Sequence, residues 1–60
     1  MWELCKDSSQ YLIDMWGSAP QGTTWQKAKR HFAEKGYEGE FLLIYRTRTS
    51  FRLWHINIKK

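Results

Sequence analysis

The feature that most constrains the fold is a pair of apolar segments near the C-terminal end, residues 40–46 and 50–59. Both are rich in Phe, Leu, Ile, Tyr and Trp, which favour extended structure, and both are short for a stable helix. The residues that join them lack the Asn-Gly or Asp-Gly of a tight two-residue turn. The pattern therefore predicts a β-hairpin over residues 40–59, with a connecting loop of three to five residues.

A helix is predicted before this hairpin, within residues 23–36. Thr23 and Gln26 have the spacing of a capping box, with Thr23 as the N-cap residue. Gly36 stands where a left-handed residue ends a helix, and Tyr37 then packs back on the last turn. The residues that share the apolar face are Trp25, Ala28 and Phe32. The solvent side would carry Lys27, Arg30, His31 and Glu34.

One segment is typical of a linker. Residues 17–22 contain two glycines and the only proline, which interrupt regular structure. This segment separates residues 1–16 from the predicted helix and hairpin. A chain of 60 residues is long enough for a single small domain, so residues 1–60 are treated as one unit.

The N-terminal segment, residues 1–16, begins with a short predicted strand and then allows two interpretations. Residues 7–16 can form a helix with Asp7 as the N-cap, or a strand whose alternate side chains face opposite sides. Ile13 and Asp14 fit neither pattern well. We favour the helix, which gives the order β-α-α-β-β; the alternative is β-β-α-β-β. Both are α+β folds in which a small antiparallel sheet with the C-terminal β-hairpin packs on one or two helices.

The predicted hairpin carries large apolar side chains on both faces in any register. One face must meet the helix. The other can be covered by residues 1–16, by a second copy of the chain in a homodimer, or by a partner. We favour residues 1–16, because a chain this small needs most of its aromatic residues for its core.

Composition excludes several classes of protein. Cys5 is the only cysteine, so no intrachain disulfide can form, and one cysteine with two histidines does not give a close zinc-ligand set. We expect no metal and no cofactor. The longest strongly apolar run, residues 41–45, is far shorter than the roughly 20 residues of a membrane span. With no leader-like segment in view, we expect a cytoplasmic protein that does not bind membranes.

The net charge of +4 is unevenly distributed, at −2 over residues 1–22 and +6 over residues 23–60. A basic region favours anionic partners, such as nucleic acid or an acidic protein surface. The candidate phosphate-binding residues are Arg46, Arg48 and Arg52 of the hairpin, Lys27 and Arg30 of the helix, and Lys59 and Lys60 at the C-terminal end.

The three hairpin arginines surround one loop, with Thr and Ser residues between them. The fixed donors of Arg suit phosphate oxygens, and hydroxyl groups add neutral donors. A nearby aromatic side chain, Phe51 or Trp54, can stack on an unpaired base if it is exposed. An equally good interpretation is that the charges protect the sheet edge from pairing with other chains. We expect a non-enzymatic, nucleic-acid-associated regulatory protein that contacts phosphate through this hairpin.

A protein-binding inhibitor or adaptor is the main alternative function. Such a protein would dock an aromatic and basic patch on a larger protein, because Trp and Arg dominate binding hot spots. The candidate anchors are Phe51, Trp54, Trp2 and Trp16. Catalysis has less support, since Cys5 with either histidine, or His55 with Glu40, would act as a reactive pair only if the fold joined them.

The segment from Phe41 to Arg46, followed by a strand that reaches His55, resembles the C-terminal sheet of ribosome-dependent mRNA interferase toxins. The resemblance covers about a third of the chain. It implies a ribonuclease with a β-α-α-β-β-β core that acts on RNA through Arg, Lys, His and Tyr side chains. In this sequence it would nominate Arg46, Arg52 and His55.

Overall fold

A computed structural model of the chain describes residues 1–6 and 11–59. The elements in chain order are β1 (Trp2–Lys6), β2 (Leu12–Trp16), α1 (Trp25–Glu34), β3 (Gly39–Arg46) and β4 (Phe51–Ile58). The strands form one antiparallel sheet in the order β2-β1-β3-β4. The predicted α+β class and the C-terminal hairpin are confirmed, and the loop between β3 and β4 has the predicted length.

The order of elements is β-β-α-β-β, which was the alternative interpretation. The favoured helix over residues 7–16 is wrong for Leu12–Trp16, which pairs with β1. Residues 7–10, including the predicted N-cap Asp7, lie outside the described residues.

A β-bulge explains why the strand pattern was hidden in the sequence. Leu4 pairs with Asp14, but Cys5 pairs with Leu12, so Ile13 is an extra residue in β2. Ile13 packs against the main core, and Asp14 bonds groups at the end of α1, so both point toward the helix side of the sheet. Two consecutive residues on one side break the period of two that a strand normally shows.

Helix α1 begins one residue later than predicted. Thr24 is the N-cap, and its hydroxyl oxygen accepts a hydrogen bond from the Lys27 backbone N–H at 3.4 Å. Thr23 instead donates from its own hydroxyl to the Pro20 carbonyl at 2.6 Å, which closes the turn before the helix. The predicted capping box between Thr23 and Gln26 is therefore wrong, because the Thr23 hydroxyl is used in that turn.

The end of α1 is as predicted. Gly36 has a φ of 101°, and its N–H donates to the Ala33 carbonyl at 3.0 Å. The Tyr37 N–H reaches the Phe32 carbonyl at 3.4 Å, and the two rings meet edge to face with centroids 6.3 Å apart. These are the two backbone bonds and the apolar contact of a Schellman ending.

The main core lies between α1 and one face of the sheet. Ala28 and Phe32 of the helix are buried against side chains from three strands. The buried strand residues are Trp2, Leu4, Phe41, Leu43, Ile56 and Ile58. Because this face takes most of the buried aromatic and aliphatic mass, it fixes how the hairpin sits relative to the helix.

The sheet face away from the helix carries a second, smaller apolar cluster. Cys5, Leu42 and Ile44 are buried there, and Leu53 packs against them. Strands β1 and β2 widen the sheet instead of forming a layer over this face. Residues 1–6 and 11–16 therefore contribute to this face as strands of the sheet, with Cys5 in its cluster, and not as a separate layer over it.

Within residues 1–6 and 11–59, no helix has the length and apolar character needed to cross a membrane.

Candidate nucleic-acid interface

The loop at the end of the β3–β4 hairpin is held by the side chain of its first residue. The Thr47 hydroxyl oxygen accepts from the Ser50 backbone N–H at 2.9 Å and from the Thr49 N–H at 3.4 Å. The Thr47 N–H in turn donates to the Ser50 carbonyl at 2.9 Å. This closed loop presents Arg48 at its tip, where the side chain is exposed to solvent.

The register of the hairpin separates the arginines that the sequence placed together. Arg46 pairs with Phe51, and Tyr45 pairs with Arg52. Since neighbouring positions in a strand face opposite sides, Arg46 lies on the face away from the helix and Arg52 on the helix side. The loop therefore carries one arginine on each face and one at its tip, so the three do not form one flat patch.

Only one of these arginines has an ion-pair partner within the described part of the chain. Arg46 Nη2 lies 3.6 Å from a Glu3 carboxylate oxygen, and its guanidinium carbon lies 5.3 Å from the Phe51 ring centroid. Arg48 and Arg52 have no such partner among the same residues and are exposed. Arg46 on interior strand β3 is therefore partly neutralised, while Arg48 and Arg52 remain available to an anion. Arg52 lies on edge strand β4, where edge protection is an equally good interpretation.

A cleft of about 430 Å³ opens beside Arg52 on the helix side of the sheet. One wall is aromatic and comes from the sheet: Trp2 lies 4.7 Å from Tyr45 and 5.4 Å from Trp54, measured between ring centroids. The rest of the lining comes from the turn before α1, together with Trp25 at the start of the helix. The volume is within the range of roughly 300–1,000 Å³ that small-molecule sites occupy.

The turn before α1 has a local cause in the sequence. The Pro20 carbonyl accepts from both the Thr23 N–H, at 3.2 Å, and the Thr23 hydroxyl. Gly22, with a φ of 86°, supplies a left-handed conformation that other residues rarely adopt. This turn leads directly into α1, whose first residue, Trp25, also lines the cleft.

The charge on the side chains that line the cleft is positive. Among the described residues that line it, Arg52 carries the only charged side chain, and none carries a carboxylate. Ser50 and Thr24 add hydroxyl groups. The cleft therefore combines flat aromatic surface with a positive edge, a combination that suits a planar and anionic ligand better than a cationic one.

The remaining basic candidates lie elsewhere. Arg30 and Lys59 line a separate shallow hollow between the helix and the end of β4, and Lys27 is exposed on the helix. Lys60 lies outside the described residues. The helix residues and the hairpin tip thus form two basic regions on one molecule.

The four predicted aromatic anchors have different environments. Trp2 is 3% exposed and belongs to the core, so little of it is available to a partner. Trp16 stacks on His31 with centroids 3.8 Å apart and planes within 2°. Phe51 is 56% exposed, and Trp54 lies in the cleft. The stack also shows that His31 does not lie on the solvent side of α1, as predicted, but packs half-buried against edge strand β2.

Two cleft residues were not singled out from the sequence, Tyr45 and Trp25. Tyr45 was assigned only to a strand face, and Trp25 only to the apolar stripe of the helix. Tyr45 pairs with Arg52, and Arg52 precedes Trp54 by two residues in β4. Tyr45 could therefore have been identified if the register of the hairpin had been known. Trp25 lines the cleft because it follows the turn at residues 20–23, and its place on the apolar face of the helix does not indicate this.

The sheet places the residue pairs considered for catalysis in different ways. Cys5 and His55 each pair with Leu42, from β1 and from β4, while Glu40 and His55 border one hollow at the hairpin. Cys5 lies on the sheet face away from the helix, whereas His31 packs on the helix side. His55 pairs with Leu42 and Glu40 pairs with Asn57, so these two polar residues are diagonal neighbours. No cluster of three or more His, Cys, Asp or Glu residues that could hold a metal occurs in the described ranges.

The residues nominated by the mRNA interferase resemblance lie on different faces of the hairpin. Arg46 and His55 lie on one face of the hairpin and Arg52 on the other, and the described elements have a different order from that family's core. An RNA-cleaving activity stays a prediction. Comparisons of the chain with known protein families, with curated proteins and with solved structures find no match.

Proposed function

We propose that the protein is a small, non-enzymatic regulatory protein that associates with nucleic acid through the end of its β3–β4 hairpin. The observation that carries the proposal is the exposure of Arg48 and Arg52 without ion-pair partners in residues 1–6 and 11–59, next to an aromatic cleft. Unpaired guanidinium groups attract phosphate at long range and can bond it with two parallel donors.

The charge distribution supports the same proposal. Residues 23–60 carry a net charge of +6, and the second basic region on α1 can add contacts to the nucleic-acid backbone. Arg46 contributes less, because Glu3 already neutralises part of its charge. The Thr47 hydroxyl group is engaged in holding the shape of the loop that presents Arg48.

The test is binding to short single-stranded and duplex oligonucleotides across a salt series. Phosphate contacts make log K fall linearly with log salt, with a slope of about −0.9 per neutralised phosphate on B-DNA and about −0.7 on single strands. Arg48→Gln and Arg52→Gln should each make the slope shallower by about that amount. Lys6→Gln is the matched control, since Lys6 lies on β1 opposite Phe41, away from the hairpin loop.

Two results would contradict the proposal. One is no detectable binding of any oligonucleotide at low salt. The other is an equal effect of the Lys6 and Arg48 substitutions, which would show that net charge alone is responsible.

A second candidate function, docking on another protein, is favoured by the sheet face away from the helix. Its small cluster is flanked by exposed apolar side chains: Leu12 at 46%, Met15 at 45% and Phe51 at 56% exposure. Exposed apolar surface of this kind often marks an interface. A stoichiometric protein complex that survives nuclease treatment and is lost with Phe51→Ser would support this function over nucleic-acid binding. A homodimer through the same face would appear as a doubled mass in light scattering.

A further inference from the structure

We infer that the cleft beside Arg52 holds one unpaired base of a single-stranded nucleic acid, with Arg52 contacting an adjacent phosphate. The inference rests on the proposed nucleic-acid function and adds to it the form of nucleic acid that is bound. The observations that support it are the cleft itself, its aromatic lining and the positive charge of Arg52.

The aromatic wall is arranged to receive a flat ring. Trp2 is buried and supports both Tyr45 and Trp54 through ring contacts at 4.7 and 5.4 Å. Tyr45 and Trp54 are themselves only half-buried, so part of each faces the cleft. Trp25 is a further aromatic residue that lines the cleft. Partly exposed rings held by a buried one form a pre-set stacking surface, because little side-chain freedom is lost when a ligand binds.

The charge of the cleft selects among ligands that stack on aromatic rings. Quaternary ammonium groups and methylated lysines also bind aromatic clusters, but they are cations. Here the only charged side chain among the described lining residues is Arg52, which repels a cation and attracts a phosphate. A nucleotide offers both features, since a planar base and an anionic phosphate are joined by a short sugar linkage.

The base that enters must be unpaired. A base within a duplex has both faces covered by its neighbours and its pairing edge occupied, so it cannot lie against Trp54 without leaving the helix. Sequence-tolerant stacking of this kind is the usual way in which proteins bind single strands. The hairpin tip then follows the backbone, with Arg48 one or more phosphates away from Arg52.

The experiment compares an eight-residue oligothymidine with the same strand carrying abasic sites, which keeps every phosphate and removes the bases. A parallel set with oligouridine and its abasic form distinguishes DNA from RNA. We expect the abasic strands to bind more weakly by about 5- to 150-fold, the range that one stacked base supplies. Trp54→Leu should remove most of that difference.

Trp16→Leu is the matched control, because Trp16 is also a half-buried tryptophan on the helix side of the sheet but does not line the cleft. It should keep the preference for the strand with bases. Should the Trp54 variant fail to fold, the indole N–H signals of the wild-type protein give the same information. Those of Trp54 and Trp25 should shift with oligothymidine and stay in place with the abasic strand.

The outcomes separate this inference from the function on which it rests. Equal, salt-dependent binding of intact and abasic strands would overturn the inference and leave the proposed function standing. Indole signals that shift equally with both strands would also overturn it. No binding of any strand at low salt would overturn both.

Discussion

The hydroxyl group of Tyr37 donates a hydrogen bond to the Asp14 carboxylate at 3.0 Å. The Lys35 ammonium group lies 3.1 Å from the same oxygen, and the Met15 backbone N–H donates to the other oxygen at 2.8 Å. Asp14 belongs to edge strand β2, whereas Lys35 and Tyr37 follow the last turn of α1. This small polar network ties the sheet edge to the end of the helix.

The network predicts a loss of stability in acid. The hydrogen bond from Lys35, aided by those from Met15 and Tyr37, holds the pKa of Asp14 below its ordinary value. A carboxyl whose pKa is lower in the folded state stabilises the protein above its unfolded pKa of about 3.9, and that contribution disappears as the pH falls through the lowered pKa. Asp14→Asn should therefore flatten the acid side of the stability profile, measured by urea unfolding between pH 7 and pH 2. Glu38→Gln, at an exposed position, should leave the profile unchanged.

The same network predicts a loss of stability in alkali. The hydrogen bond to Asp14 raises the pKa of Tyr37, with burial adding to the effect. A group whose pKa is raised on folding contributes its full stability below its unfolded pKa, about 10 for tyrosine, and loses it as the pH rises through the raised value. Tyr37→Phe should lower stability at neutral pH and flatten the alkaline side of the profile. Tyr11→Phe is the control, because Tyr11 is 70% exposed; a matching effect there would contradict the prediction.

The sequence predicted those parts of the fold that depend on local chemistry. The end of α1 follows from Gly36 and Tyr37 alone, and the hairpin follows from two apolar segments with a short loop between them. The strand Leu12–Trp16 was only the alternative interpretation because its bulge places Ile13 and Asp14 on one side, which depends on pairing with β1. Long-range pairing cannot be read from one segment.

In the candidate site, too, residue types could be predicted from the local sequence, whereas features that depend on strand pairing could not. The arginines and Trp54 became candidates through their residue types and their positions around the loop. The faces on which they lie could not be predicted, because the register of the hairpin decides that Arg46 and Arg52 face opposite sides. The cleft itself requires β1 to bring Trp2 into contact with both Tyr45 and Trp54, which no local pattern in the hairpin indicates.

The positive φ of Gly36 makes this position sensitive to substitution. An added Cβ would meet no atom within 4 Å, so the cost of Gly36→Ala comes from the backbone and not from crowding. A left-handed conformation costs a non-glycine residue about 1–2 kcal/mol, and we expect the free energy of unfolding to fall by that amount. Gly17→Ala is the control, since Gly17 has equally open surroundings and no positive φ. Equal effects in chemical denaturation would show that the φ of Gly36 is not the cause.

Cys5 should react slowly while the protein is folded. Its side chain is 2% exposed, and burial raises the pKa of the thiol, with the nearby Glu3 charge adding to the rise and Arg46 partly opposing it. Both effects reduce access to the reactive thiolate. Iodoacetamide labelling at pH 8, followed by mass spectrometry, should be much slower in buffer than in concentrated urea. Equal rates in the two conditions would show that the second apolar cluster opens readily.

The loop that presents Arg48 should depend on the hydroxyl group of Thr47. Thr47→Ala removes the acceptor for the Ser50 and Thr49 N–H groups and should cost about 0.5–1.5 kcal/mol of stability, since water can replace the lost bonds at this exposed loop. The same change frees Arg48 to sample more orientations, so oligonucleotide binding at low salt should weaken although no charge is removed. Thr47→Ser keeps the hydroxyl and should restore both properties. Unchanged binding by a measurably destabilised Thr47→Ala variant would show that the loop conformation does not position the arginine for its ligand.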